Sequence, residues 1–170
     1  MSHPSDNLTS DLPSAARMSF GIVVSDWNGE ITGALLRGAV SRLQQAGATD
    51  HNIIISHVPG SFEIPLGAQL LTENHNPDAV ICLGCVIQGE TRHFDYICLG
   101  VTRGIADLNL KYNKPFIFGV LTTGNIEQAR ERAGGKLGNK GDEAAAAAIK
   151  MISLKQKLSK ERESEEESEQ

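Results

Sequence analysis

Four short, nearly continuous apolar segments recur along the chain, and each is followed by a stretch with helical periodicity. The segments are Ser19 to Ser25, Asn52 to Val58, Ala79 to Ile87 and Pro115 to Leu121. A strand covered on one face alternates apolar and polar residues, whereas a strand in a parallel sheet is buried on both faces and apolar throughout. The pattern predicts a three-layer α/β/α sandwich around a four-stranded parallel sheet.

The intervening stretches carry apolar residues at three- and four-residue spacings, as amphipathic helices do. In the first, Asn28 is a candidate N-cap and Gly47 a candidate stop. The last two helices are separated by a glycine-rich stretch, residues 134–141. The predicted helices begin near Asn28, Pro65, Phe94, Asn125 and Asp142.

The 170-residue chain has room for one globular domain with a continuous core. We expect a disordered N-terminal segment at residues 1–17, a folded domain at 18–158 and an acidic, disordered tail at 159–170. The tail holds two basic and six acidic residues, so it contributes −4 of the formal net charge of −5. The folded part is therefore close to neutral.

Several classes of protein are disfavoured by this composition. A nearly neutral domain lacks the basic surface that nucleic acid needs. The chain has no long apolar run and no apolar signal segment, so we expect a cytoplasmic protein without membrane contact. Cys82 and Cys85 sit three apart in one predicted strand and should face opposite sides of the sheet, and we expect all three cysteines, including Cys98, to be buried thiols.

In a parallel sheet, ligands bind beyond the carboxyl ends of the strands, so the turns there are the candidate site. Trp27, the only tryptophan, follows the first strand; it either stacks on a planar ligand or covers the sheet edge. Glu63 follows the second strand at a helix start, where it either accepts hydrogen bonds from a ligand or caps the helix.

The turn after the third strand resembles a phosphate-binding loop, because Gly84 and Gly89 have the spacing of that motif. Glu90 occupies the position where nucleotide chemistry needs lysine, which argues against a nucleoside triphosphate. Backbone N–H groups and the Thr91 hydroxyl remain suitable for one small phosphate. His93 lies within a turn of them and either transfers protons or is an ordinary surface or capping histidine.

A fourth turn, Thr122 to Asn125, opens a short helix that ends near Arg132. This arginine either favours the helix dipole or pairs with a phosphate. The remaining histidines show no metal-ligand spacing, and neither a Ser-His-Asp arrangement nor a dinucleotide glycine motif is present. The sequence therefore implies no metal and no cofactor.

Four strings in one order give the chain its resemblance to a known family, which runs from about Met18 to Ile152. The strings are VPGSFEIP at 58–65, GCVIQGETRHFDYI at 84–97, FGVLTT at 118–123, and IEQARERAG at 126–134 followed by KLGNKG at 136–141. In this combination the chain resembles the lumazine synthases, transferases of riboflavin biosynthesis with a flavodoxin-like topology.

The resemblance implies that 5-amino-6-(D-ribitylamino)uracil condenses with 3,4-dihydroxy-2-butanone 4-phosphate to 6,7-dimethyl-8-ribityllumazine, phosphate and water, the penultimate step of riboflavin biosynthesis. It implies that His93 moves protons and that Glu90, Thr91 and Arg132 bind the butanone phosphate. It also implies a set of contacts to the ribitylaminouracil: Trp27, Ser61, Phe62, Glu63, Cys85, Val86, Ile87 and Phe118.

Assembly is the other implication of the resemblance. Phe118 and Arg132 would come from the neighbouring subunit of a homo-pentamer, and pentamers would close into an icosahedral shell of about 60 subunits. Riboflavin synthase is a further implied partner. The alternatives are a non-catalytic carrier or cage for a flavin or lumazine, which gives no reason for His93, Thr91 and Arg132 to occur together, and a flavodoxin-like electron carrier, which needs a hydroxyl-rich loop after the first strand.

Overall fold

The structure is a computed structural model that describes residues 11–168. Strands and helices alternate along it, as the sequence predicts, and two very short strands pair before the last helix. The strands are β1 (Phe20–Ser25), β2 (Ile53–Val58), β3 (Ala79–Ile87), β4 (Phe116–Thr123), β5 (Ala133–Gly135) and β6 (Gly138–Asn139). The helices are α1 (Gly29–Gln45), α2 (Ile64–His75), α3 (His93–Tyr112), α4 (Ile126–Arg132) and α5 (Lys140–Ser168).

The four long strands form one parallel sheet in the order β2-β1-β3-β4, which confirms the predicted fold class. Residues 79–85 of β3 are all buried, as expected for an inner strand covered on both faces. The sequence overestimates the burial of β2, where Ile55 is 43% exposed. β2 lies at the sheet edge, and an edge position cannot be read from the apolar run itself.

The helices cover both faces of the sheet. α1 and α5 pack with Phe20, Ile22 and Ile81 on one face. α2 and α3 pack on the other face with Val23 and Val80. Cys82 belongs to the second group and Cys85 to the first, so the predicted opposite orientation is confirmed. The expectation that all three thiols are buried is wrong for Cys98, which is partly exposed on α3.

The glycine-rich stretch 134–141 holds α5 against α1 as well as connecting two helices. The Asn139 amide donates to the carbonyl oxygen of Ala34 over 2.9 Å, and its Oδ1 accepts from the N–H of Gly141 over 2.8 Å. Further along both helices, Arg42 of α1 makes a two-pronged ion pair with Asp142 of α5 at 2.7 and 3.0 Å. These contacts fix the start of α5, which borders one of the clefts described below.

The structure differs from the expected disorder where it describes the ends. Ala15 is fully buried and its N–H donates to the carbonyl of Ala46 over 2.8 Å, so part of segment 11–17 packs on the core because it is apolar. Residues 159–168 continue α5, and residues 160–167 of this helix are exposed. Lysine, arginine and glutamate are good helix formers, and the pairs Lys157–Glu161 and Arg162–Glu166 have helical spacing. The expected disorder of residues 1–10 and 169–170 lies outside the described residues.

Within residues 11–168, no helix is both long enough and apolar enough to cross a membrane. α5 is the longest helix, and its second half is dominated by charged side chains.

Candidate active site

The turns after β1, β2 and β3 surround one cleft at the carboxyl edge of the sheet. Its volume is about 600 Å³, large enough for a heterocycle with a short chain. We call it the first cleft. Eight of its lining residues are Trp27, Ser61, Phe62, Glu63, Cys85, Val86, Ile87 and His93, so eight of the twelve residues that the sequence singles out lie around one volume.

Trp27 stands in a turn that is held by its backbone rather than by packing of the ring. The N–H of Asp26 donates to the carbonyl of Val58 over 2.8 Å, and that of Trp27 donates to the carbonyl of Pro59 over 3.1 Å. The indole is 75% exposed. A ring with so little contact does not cover the sheet edge, so the geometry favours the stacking interpretation of Trp27.

Asn28 has a role that sequence reasoning missed. It occupies the N-cap position of α1 in a left-handed conformation, with φ at 59°, but its side chain makes no capping hydrogen bond. Instead its amide donates to the carbonyl of Cys85 over 2.9 Å and joins the first turn to β3. A capping asparagine and a bridging asparagine look identical in sequence, because the acceptor lies far along the chain.

Ser61, Phe62 and Glu63 form a single 3-10 turn that leads into α2. Glu63 makes no capping hydrogen bond, which removes the interpretation of this carboxylate as a helix cap. The turn lies close to β3 because Gly84 has no side chain: a Cβ there would come within 2.7 Å of the Ser61 Oγ. Gly100, on α3, likewise lacks a side chain and leaves room for the ring of Phe62.

The wall formed by β3 consists of Cys85, Val86 and Ile87. Burial raises the pKa of the Cys85 thiol to about 11, so the group stays protonated near neutral pH. It therefore lines the cleft as a small apolar group and is not a nucleophile. Nearby at the end of β1, the Ser25 hydroxyl is buried and has no hydrogen-bond partner among residues 11–168.

His93 opens the 20-residue helix α3 and faces the first cleft. Glu90 and Thr91 precede it in an exposed loop and are outside the set of residues that line the cleft. The Thr91 Oγ1 lies 3.4 Å from the backbone nitrogen of His93. The loop thus ends at a helix N-terminus, where the helix dipole favours an anion.

Phe118 and Arg132 line a different cleft, which we call the second cleft, of about 420 Å³ between β4, α4 and α5. Lys140 and Glu143 also line it, and their side chains are 2.7 Å apart. Arg132 donates to the carbonyl of Gln128 in its own helix over 3.0 Å, as the helix-end interpretation predicts. Sequence reasoning did not single out Lys140, whose ammonium pairs with the Glu143 carboxylate one turn along α5.

A single subunit thus brings together the first-cleft residues and keeps Phe118 and Arg132 apart from them. Within residues 11–168, no group of three or more His, Cys, Asp or Glu side chains is arranged to hold a metal ion. The chemistry that the first cleft can support is the binding of a planar ring beside a histidine and next to an anion-binding helix start.

Comparison with known proteins gives one consistent result. The sequence profile of the family described as 6,7-dimethyl-8-ribityllumazine synthase matches residues 17–156. The protein of that name from Cytophaga hutchinsonii is 59% identical over 155 residues, which cover 89% of this chain and 98% of that relative. The one from Bacteroides fragilis is 57% identical over 143 residues, 84% of this chain and 100% of the relative. The one from Phocaeicola vulgatus is 53% identical over 156 residues, 92% of this chain and 93% of the relative.

Proposed function

The chain belongs to the 6,7-dimethyl-8-ribityllumazine synthase family, and from this premise we propose that it condenses 5-amino-6-(D-ribitylamino)uracil with 3,4-dihydroxy-2-butanone 4-phosphate. The products are 6,7-dimethyl-8-ribityllumazine, phosphate and water. Membership makes the chain a transferase of riboflavin biosynthesis. The identity of its two substrates and the roles of its residues are the content of the proposal.

The observation that carries the proposal is the composition of the first cleft. The exposed indole of Trp27, the Glu63 carboxylate, which does not cap the helix, and His93 surround a volume of about 600 Å³. We assign Trp27 to stacking on the pyrimidine, because an exposed aromatic face both buries area and orients a ring. Cys85, Val86 and Ile87 form the apolar wall of the ring pocket. Ser61, Phe62 and Glu63 hold the ribityl chain, whose hydroxyls suit the free Glu63 carboxylate.

The phosphate of the second substrate is assigned to the loop before α3. Glu90 and Thr91 bring it to the N-terminus of this helix, whose dipole attracts anions. Arg132 supplies the opposite charge with a planar fork of donors. Such an arrangement brings the phosphate next to His93 and the ketone next to the pyrimidine amine.

The reaction needs few chemical groups. The pyrimidine amine attacks the ketone to form an imine and releases one water, the phosphate leaves by elimination, and the ring closes with loss of a second water. His93 accepts and returns the protons of these steps, which is within the range of an imidazole near neutral pH. The remaining acceleration comes from holding two reactants in one orientation, which supplies about 7 kcal/mol of the barrier in favourable cases.

The division of the residues between two clefts supports a shared active site. We propose that Phe118 and Arg132 of one subunit complete the first cleft of its neighbour in a homo-pentamer, and that pentamers assemble into an icosahedral shell. The outer faces of α2 and α3 support an interface, because five large apolar side chains there are at least half exposed: Leu66, Leu70, Tyr96, Leu99 and Leu110. Exposed apolar patches of this kind mark contact surfaces.

The experiment that tests the activity mixes the purified protein with both substrates and follows the absorbance and fluorescence of the lumazine against a protein-free control. The proposal expects formation well above the control rate. A well-assembled protein that gives no acceleration would refute it and would leave a ligand-binding module as the better interpretation.

The shared site is tested by mixing two inactive variants. His93→Ala removes a group of the first cleft and Arg132→Ala a group of the second. In the proposed site, one subunit supplies the first cleft and its neighbour supplies the second. After equal mixing and reassembly, each cleft of a site is intact in about half of the cases, so about one quarter of the sites have both clefts intact. Mixtures that stay as inactive as the separate variants would contradict the shared site.

A further inference from the structure

His57 and Asp26 form a side-chain pair just outside the first cleft. The Nδ1 atom of His57 lies 2.8 Å from the Oδ1 atom of Asp26. A carboxylate can only accept a hydrogen bond, so the ring nitrogen carries the hydrogen. His57 lies in β2 and Asp26 directly follows the neighbouring strand β1, whose last residue, Ser25, pairs with Val58. Neither side chain lines the cleft. This pair therefore joins the edge strand β2 to the turn that carries Trp27.

The position of the Trp27 ring depends on that turn, because the ring itself is 75% exposed and is not held by packing. The turn is fixed on one side by the amide of Asn28, which donates to Cys85 on β3. On the other side two backbone bonds reach the end of β2. Asp26 directly precedes Trp27 in the chain, and its carboxylate adds a side-chain bond to His57 of β2.

We propose that His57 and Asp26 are positioning residues that hold the β1–α1 turn so that Trp27 presents its ring to the pyrimidine. The proposal rests on the proposed function, because it concerns the ring that we assign to stacking. Fixing a contact residue before binding removes the ordering cost that the ligand would otherwise meet. Loss of the pair therefore weakens binding of the ring-bearing substrate and leaves the phosphate-bearing substrate unaffected.

An ordinary surface ion pair is the competing explanation. Both side chains are more than half exposed, and exposed pairs of this kind contribute little to stability. A stability measurement cannot distinguish the two explanations. The motion of the Trp27 ring can, and the protein has only this tryptophan, so its fluorescence reports the position without any label.

The experiment compares four variants of the full chain with the wild type. His57→Ala and Asp26→Ala remove the pair, while His57→Asn places an amide nitrogen near the former Nδ1 and should keep the bond. Gln44→Ala is the matched control, because it breaks an equally exposed pair, Gln44–Asp50 at 3.0 Å, away from the cleft. Time-resolved fluorescence anisotropy of the ligand-free protein measures the nanosecond motion of the ring, and steady-state kinetics give kcat and both KM values.

For His57→Ala and Asp26→Ala, we expect a larger fast component of the anisotropy decay and a KM for the pyrimidine raised about three- to fivefold. The kcat and the KM for the butanone phosphate should stay within about twofold of wild type. His57→Asn and Gln44→Ala should match the wild type in both readouts.

Unchanged ring motion in His57→Ala and Asp26→Ala would overturn the proposal, and so would equal changes in both KM values. If the wild type forms no lumazine, the proposed function fails, and the anisotropy alone decides whether the pair holds the ring.

Discussion

Gly141 lies where the first turn of α5 meets α1, and replacing it with alanine should destabilise the protein strongly. A Cβ at Gly141 would overlap the carbonyl oxygen of Leu35 and lie 2.6 Å from its carbonyl carbon and 2.9 Å from its Cα. Ordinary contacts of a Cβ are 3.4–4 Å. All three atoms are backbone, so no side chain can turn aside, and the two helices would have to move apart.

That separation would also strain the contacts that hold the helices together. These are the Asn139 bond to Ala34 at 2.9 Å and the ion pair between Arg42 and Asp142, whose side chains are only 21% and 25% exposed. Overpacking alone costs about 1–3 kcal/mol, and we expect Gly141→Ala to lower the free energy of unfolding by about 3 kcal/mol or more. For a chain of this length, the unfolding temperature should fall by about 6–12 °C.

Urea and thermal unfolding followed by circular dichroism measure this change, at one fixed protein concentration because assembly also contributes to stability. Gly29→Ala is the control. Gly29 is also at the start of a helix, but a Cβ there meets no atom within 4 Å, so this variant should be unchanged or up to about 1 kcal/mol more stable. If Gly141→Ala unfolds within about 0.5 kcal/mol of the wild type, the two helices separate freely and the reasoning is wrong.

Three further predictions concern the site and the tail. His93→Ala should lower kcat by about 10²-fold or more while sedimentation of the assembly is unchanged; an unaltered kcat would remove His93 from the mechanism. Ser25→Ala removes a buried hydroxyl without a partner, so the free energy of unfolding should be unchanged or rise by about 1 kcal/mol, and a clear loss in urea unfolding would reveal an unrecognised bond. Truncation after Leu158 removes a run of charged residues. If repulsion between the tails opposes shell closure, light scattering should show larger assemblies for the truncated chain, whereas identical assemblies would exclude that repulsion.

The sheet could be predicted from the sequence because its signal is local. A buried strand such as β3 is apolar at every position, and the predicted limits Ala79 to Ile87 are those of the structure. The start of α3 was equally accessible, since the apolar spacing from Phe94 onward is regular. The helical tail was missed for the opposite reason. A charged run is compatible with disorder and with an exposed helix, and only its i,i+4 pairs distinguish them.

The contents of the first cleft were predictable as a set of turns, because the carboxyl ends of parallel strands meet at one edge. The bonds between those turns were not. Asn28 and Cys85 are 57 positions apart, and His57 and Asp26 are 31 apart, so no local pattern indicates either pair. Each residue has an adequate local interpretation, as a cap or a surface side chain, which hides its long-range partner.

The two clefts show why a sequence motif and a complete active site are different things. Arg132 follows β4 by less than ten residues, and its helix ends beside β5, so the chain itself positions it in the second cleft with Phe118. His93 is carried by α3, on the opposite face of the sheet from α5. Within one subunit, the chain therefore holds Arg132 and His93 in different clefts. If both act on one substrate, the contact must be made between subunits, and the surfaces that make it must evolve together with the motifs. Under the proposed function, assembly is then a condition of catalysis rather than an addition to it.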